Sequence, residues 1–215
     1  MRYPVIFFDL DGTLTDPSEG ITRSVQYALS KFEIESDPDD LRSFIGPPLH
    51  HSFMERYGFD EPTARTAIAY YREYFADRGI YENRLFSGIP ELQQRLSTAG
   101  AELCLVTSKP EIFATQVLRF FDLEACFDAV VAPGLDLVHA EKRELIARAM
   151  GRYEGHTAAD FVMIGDREHD IIGAAANGID SIGVTYGAGS REELASAGAT
   201  HIVDTLVDLE ALLLG

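Results

Sequence analysis

Two aspartates, Asp9 and Asp11, close the apolar run Tyr3–Phe8 and lead into Gly12-Thr13. Residues two apart in extended backbone face the same way, so the pair places two carboxylates on one side of a strand end. Ligands of open parallel sheets sit at such carboxyl ends. Like charges this close repel unless a cation or a shared proton separates them. Mg²⁺, a hard ion that takes oxygen ligands, suits the pair, and Gly12 lets the chain leave the strand sharply. A second acidic group, Gly165-Asp166-Arg167-Glu168-His169-Asp170, follows the apolar run Phe161–Ile164. Asp166 ends that strand, and Asp170 stands four residues on, along one side of the helix that begins there. Service to a helix dipole accounts for one such acid; four acids at two strand ends outline a metal pocket. His169 reads as a polar helix residue. A third group, Thr107-Ser108-Lys109-Pro110, joins an apolar run to a helical pattern. Pro110 fits the first helical position, and free backbone N–H groups at a helix start bind phosphate. Thr107 or Ser108 adds a hydroxyl, although an ordinary hydroxyl cap explains the same residues.

The elements that must position these groups follow from hydrophobic pattern. Continuous apolar runs at Tyr3–Phe8, Glu102–Thr107, Ala129–Ala132, Phe161–Ile164, Ser181–Thr185 and His201–Val203 read as buried strands. Helical patterns lie near 89–99, 110–121, 141–152, 168–177, 190–198 and 205–214. This alternation predicts an α/β fold with a Rossmann-like, doubly wound parallel sheet. Residues 16–87 break the rhythm. Ile21, Val25, Ala28, Leu29 and Phe32 follow one helical face, as do Ala64, Ile68, Tyr71 and Phe75. The segment holds no convincing strand. It predicts an all-helical domain inserted into a core made of 1–15 and 88–215, with Pro17, Gly20 and Gly88 as hinge candidates.

Composition narrows the function. A net charge of −17 over 215 residues argues against nucleic acid and anionic membranes as partners. A small anionic substrate remains compatible with a locally positive site. The two cysteines, Cys104 and Cys126, lack metal or disulfide spacing and read as buried thiols. The apolar start is too short for a signal sequence or membrane span, which makes the cytoplasm the default location. Only three of the 18 cationic residues are lysine: Lys31, Lys109 and Lys142.

In order, Asp9-Leu10-Asp11-Gly12-Thr13, Thr107-Ser108-Lys109-Pro110, Lys142 and the 165–170 segment resemble the haloacid dehalogenase-like superfamily. Within it the chain is similar to phosphoglycolate-phosphatase-type hydrolases with a helical cap inserted after the first core strand. The resemblance covers nearly the whole chain, including Ile45-Gly46-Pro47-Pro48-Leu49, Tyr81-Glu82-Asn83 and Gly183-Val184-Thr185-Tyr186-Gly187. It implies that Asp9 is a nucleophile forming an aspartyl-phosphate, and Asp11 the acid and then the base. Thr107, with Ser108 and Lys109 as further candidates, would hold phosphate. Lys142 would neutralise phosphate and orient Asp9, with Lys109 as its rival. Mg²⁺ would sit among Asp9, Asp11 (through its carbonyl), Asp166 and Asp170. Arg23, Ser24, Pro47 and Asn83 are the cap positions expected to set specificity. The implied enzyme is a phosphatase of a small phosphorylated metabolite, such as 2-phosphoglycolate or a nucleoside 5′-monophosphate, acting as a monomer or weak homodimer. Pyrophosphate hydrolysis, β-phosphoglucomutase-like transfer and a non-catalytic phosphometabolite-binding module stay open as alternatives.

Overall fold

The computed structural model describes residues 2–135 and 141–215. In chain order the first part comprises β1 (Val5–Phe8), β2 (Thr15–Asp16), α1 (Ser18–Ser30), α2 (Leu49–Tyr57), α3 (Glu61–Tyr74) and β3 (Arg84–Leu85). Then come α4 (Ile89–Thr98), β4 (Glu102–Val106), α5 (Glu111–Phe120), β5 (Ala129–Val131) and α6 (Lys142–Met150). The chain ends with β6 (Phe161–Gly165), α7 (Glu168–Ala176), β7 (Asp180–Val184), α8 (Arg191–Ser196), β8 (His201–Val203) and α9 (Leu206–Leu214). It divides into two compact units, Met1–Thr15 with Leu85–Gly215, and Asp16–Arg84.

The larger unit is a six-stranded sheet in the order β5-β4-β1-β6-β7-β8, parallel throughout. Helices cover both faces, giving the doubly wound α/β fold. Alternation along each strand explains why both faces are apolar. Val5 and Phe7 join Cys104, Val106, Phe161 and Met163 in one core, closed by Leu145, Ile146 and Ala149 of α6 and Ala174 of α7. Their neighbours Ile6, Phe8, Leu103, Leu105, Val162 and Ile164 are equally buried. Each large apolar side chain so buried contributes about 1.5–3 kcal/mol, and Phe7→Ala would cost about 3–5 kcal/mol. β1 starts at Val5 rather than Tyr3, since Pro4 has no N–H for the ladder and joins only through its carbonyl, which accepts from Glu102 N. Cys104 is fully buried, its thiol pushed up to about 12 by burial. Cys126, expected to be buried, is only half-buried.

The smaller unit has its own core. α1 packs on α3, α3 on α2, and a 3-10 turn at Asp40–Phe44 closes on α1. Val25, Ala28, Leu29, Leu41, Phe44, Phe53, Ala64, Ala67 and Phe75 fill it. Asp60 caps α3 by accepting from Thr63 N at 3.0 Å. Two findings modify the expectations for this segment. Its edges carry the two-residue strands β2 and β3, which pair with each other where the chain passes between the units. Gly20 is no hinge: it lies within α1, and a Cβ there would sit 1.9 Å from the Gly79 carbonyl oxygen. Its missing side chain permits close packing. No helix among the described residues is long and apolar enough to cross a membrane.

Candidate active site

The strand order reverses at β1 and β6, and a doubly wound sheet places its ligand crevice at that point. Asp9 follows β1, its N–H donating to the Ile164 carbonyl of β6 at 2.9 Å. Asp166 follows β6, and Asp170 lies in the first turn of α7. Carboxylate oxygens of Asp9, Asp166 and Asp170 lie within 4.8 Å of one another, and all three residues are buried. Lys142 opens α6 and reaches into this group. Its Nζ lies 2.6 Å from Asp9 Oδ1 and 2.6 Å from Asp170 Oδ1.

One ammonium does not balance three buried carboxylates. Burial and the charges of Asp170 and Asp9 push the Asp166 carboxyl up to about 8. Burial, partly offset by Lys142, raises Asp170 to about 6. Burial opposes the charge of Lys142, but Asp170 and Asp9 outweigh it and hold Lys142 above its ordinary value. The cluster is therefore short of positive charge, and its hard oxygen donors fit a divalent cation.

Backbone shapes this pocket. Ala188 N donates to Asp166 Oδ2 at 2.7 Å, and the Thr13 hydroxyl donates to Oδ1 at 3.5 Å. Gly12 takes a left-handed φ of +87°, and a Cβ there would fall 2.1 Å from Asp166 Oδ2. At Gly187 a Cβ would meet the Gly12 carbonyl oxygen at 2.3 Å. Both positions require glycine for close approach.

Asp11 behaves differently from Asp9. The extended backbone ends at Phe8 and Asp11 lies past a bend, and its carboxylate has a different lysine partner from that of Asp9. Lys109 Nζ donates to Asp11 Oδ2 at 2.6 Å. Asp11 Oδ1 is buried with no hydrogen-bond partner among the described residues. Thr107 is buried at the end of β4, and its Oγ1 accepts from Lys109 N at 3.2 Å. Ser108 is exposed. Pro110 stands one residue before α5, as the cap at φ −52° and ψ 136°, not at the first helical position.

The haloacid dehalogenase-like hydrolase family matches residues 6–184 of the chain. The chain belongs to that family. A 5′-nucleotidase of Pseudomonas aeruginosa is 49% identical over 214 residues, 99% of this chain and 96% of that protein. The tyrosine-protein kinase PtkA of Mycobacterium tuberculosis is 36% identical over 209 residues, 97% of this chain and 70% of that protein. The crystal structure of a predicted phosphatase from Clostridium acetobutylicum, 48% identical, has a TM-score of 0.94 and covers 100% of this chain and 99% of that one. This hydrolase is a phosphatase.

In the inserted unit of the phosphatase, the four positions expected to contact substrate diverge. Ser24 is fully buried, its hydroxyl donating to the Gly20 carbonyl at 2.6 Å. It fills the tight contact of α1 with Gly79, which corrects its assignment as a cleft residue. Arg23 is held by Glu19 at 2.8 Å and Glu82 at 2.6 Å. Pro47 is half-buried. Asn83 is half-buried, with Oδ1 buried and unpartnered among the described residues.

Sequence reasoning missed the brace behind the acidic cluster. Glu193 of α8 accepts from Arg167 Nε at 2.8 Å and from Glu168 N at 2.9 Å. Both donors lie between Asp166 and Asp170, Arg167 as the cap of α7 and Glu168 as its first residue. The turn residues Gly187-Ala188-Gly189-Ser190 after β7 were the available signal, since such clusters mark a loop at a strand's functional end.

Proposed function

We propose that this phosphatase hydrolyses a small phosphomonoester through an aspartyl-phosphate on Asp9, with Mg²⁺ at the acidic cluster. The observation that carries the reading is the Lys142 ammonium on Asp9, 2.6 Å away, beside three buried carboxylates. Asp9, Asp166 and Asp170, with the Asp11 carbonyl, would hold the ion, which when bound supplies positive charge for phosphoryl oxygens. Lys142 neutralises the incoming phosphate and orients Asp9. Thr107 and neighbouring backbone N–H groups bind phosphoryl oxygens. Phosphoryl transfer depends mainly on positioning and charge neutralisation, which these groups provide.

Asp11 is the proton carrier. As the P–O ester bond breaks and the Asp9–phosphorus bond forms, it gives its proton to the leaving oxygen. It then takes a proton from the water that attacks phosphorus and releases Asp9. Dividing hydrolysis into two displacements is the logic of covalent catalysis.

A nucleoside 5′-monophosphate is the preferred substrate, supported by the 49% identity to a 5′-nucleotidase; 2-phosphoglycolate stands next. The net charge of −17 disfavours approach of nucleic acid and other polyanions. Selectivity is assigned to Arg23, Pro47 and Asn83. The 36% identity to a tyrosine-protein kinase supports a second reading, in which an acceptor hydroxyl replaces water. A panel of phosphometabolites, assayed with and without EDTA, tests both. The expected result is release of inorganic phosphate from nucleoside monophosphates, supported by Mg²⁺ and inhibited by Ca²⁺. Full activity after exhaustive chelation contradicts the metal, and phosphate found only on an acceptor contradicts hydrolysis.

A further inference from the structure

The Lys109 ammonium lies against the carboxylate of Asp11. We propose that Lys109 is a positioning residue for the acid–base carboxylate: it pins Asp11 through Oδ2 so that proton transfer runs through Oδ1. The inference rests on the reading of Asp11 as the proton carrier.

Three observations carry it. Lys109 Nζ is 2.6 Å from Asp11 Oδ2, and the lysine side chain is 7% exposed, so the pair is shielded from competing solvent. A charge-assisted contact of this length fixes a rotamer more firmly than a neutral hydrogen bond. The other oxygen, Oδ1, is buried and has no hydrogen-bond partner among the described residues. A buried carboxylate oxygen left in that condition is costly unless function uses it. Third, the lysine is itself held at its base: its backbone N–H donates to Thr107 Oγ1 at 3.2 Å, and the next residue is Pro110, whose own φ is −52°. The two ends of the pair are 98 residues apart and lie in the segments that follow the adjacent, parallel strands β1 and β4, so the sheet brings those segments together.

The two lysines of the site then divide the work. Lys142 serves the nucleophile, and Lys109 serves the proton carrier. With Oδ2 pinned, the proton leaves Oδ1 for the ester oxygen as that oxygen departs from phosphorus. The same Oδ1 receives the proton of the attacking water as the Asp9–phosphorus bond breaks. Lys109 itself neither gains nor loses a proton in either step.

The test compares Lys109→Met, Lys109→Arg, Asp11→Asn and the double variant Asp11→Asn/Lys109→Met. Each is assayed with an alkyl phosphate, whose leaving oxygen needs a proton, and with p-nitrophenyl phosphate, whose leaving group does not. Removing general acid–base catalysis lowers rates by about 10²–10⁴-fold. For Lys109→Met we expect a kcat loss of at least about tenfold on the alkyl phosphate and under about threefold on the aryl phosphate, with little change in KM, because mispositioning removes part of that effect. Lys109→Arg should recover part of the alkyl activity. In the Asp11→Asn background, Lys109→Met should add nothing. A KM increase shared equally by both substrates would make Lys109 a phosphate ligand and overturn the proposal. Equal kcat losses on both substrates, with lowered thermal stability, would make it structural and also overturn it. If Asp11→Asn itself shows no leaving-group dependence, the role of Asp11 fails, which is distinct from failure of Lys109 alone.

Discussion

The two lysine–aspartate groups of the core use the same residue types for opposite ends. Around Lys142, the ammonium pairs with Asp9 and Asp170 in a cluster of three buried carboxylates, and burial with the charges of Asp170 and Asp9 pushes the third, Asp166, up to about 8. At the second group, Lys109 Nζ lies 2.6 Å from Asp11 Oδ2. The first group holds more buried carboxylate than one ammonium offsets, a donor set that fits a divalent cation. The second leaves one buried oxygen, Asp11 Oδ1, without a hydrogen-bond partner among the described residues. Buried carboxylates that raise one another's pKa mark a candidate binding site, and the spare Asp11 oxygen is where we propose that a proton moves.

The largest effect that separates the two groups is at Asp9. Asp9→Asn should abolish turnover while circular dichroism shows an intact fold, because an amide is not a comparable nucleophile. Normal kcat in this variant would place the chemistry outside the Lys142 group. Next, Lys142→Ala should lower kcat for every substrate by about 10²–10³-fold, the range for removing a preorganised charge stabiliser. Lys109→Ala should discriminate between leaving groups instead. A severe, substrate-independent loss confined to Lys109→Ala would exchange the two roles.

The imbalance has a signature in the metal-free protein. Asp166 moves from an ordinary 3.8 to about 8 on folding. Across that window the native state holds a proton that the unfolded state has released. Stability in EDTA must therefore fall as pH rises from about 4 to about 8, and Mg²⁺ should reverse the fall. Thermal melts at stepped pH, with and without Mg²⁺, give the answer; a flat profile in EDTA would mean that the cluster is not short of charge. A smaller effect is expected behind the cluster. Glu193→Gln removes the charge that braces Arg167 and should raise the Mg²⁺ requirement by about tenfold, the lower end for outer-shell partners of a metal site. An unchanged Mg²⁺ titration would reduce Glu193 to a surface partner.

Much of the core was legible because its signals are local. Four residues of continuous apolar sequence, Phe161–Ile164, announce β6, and acids directly after β1 and β6 announce the pocket. The helices of the inserted unit were legible from apolar spacing, as with Val25, Ala28 and Leu29. Pairing was less legible. Lys142 meets Asp9 across 133 residues and Lys109 meets Asp11 across 98, and no periodicity carries such information. Ser24 misled because a hydroxyl on a helix reads alike whether it meets a ligand or a Gly20 carbonyl. Glu193 escaped because a glutamate early in a short helix reads as a dipole partner.

An acyl phosphate on Asp9 can be trapped directly. Substrate is mixed with enzyme, the reaction is quenched with acid within one turnover, and the protein is reduced with borohydride before peptide mass spectrometry. Borohydride converts an aspartyl-phosphate to homoserine. The account predicts homoserine at position 9 alone, and none when substrate is omitted. Unmodified Asp9 in enzyme trapped during turnover, or modification at position 11 instead, would contradict it.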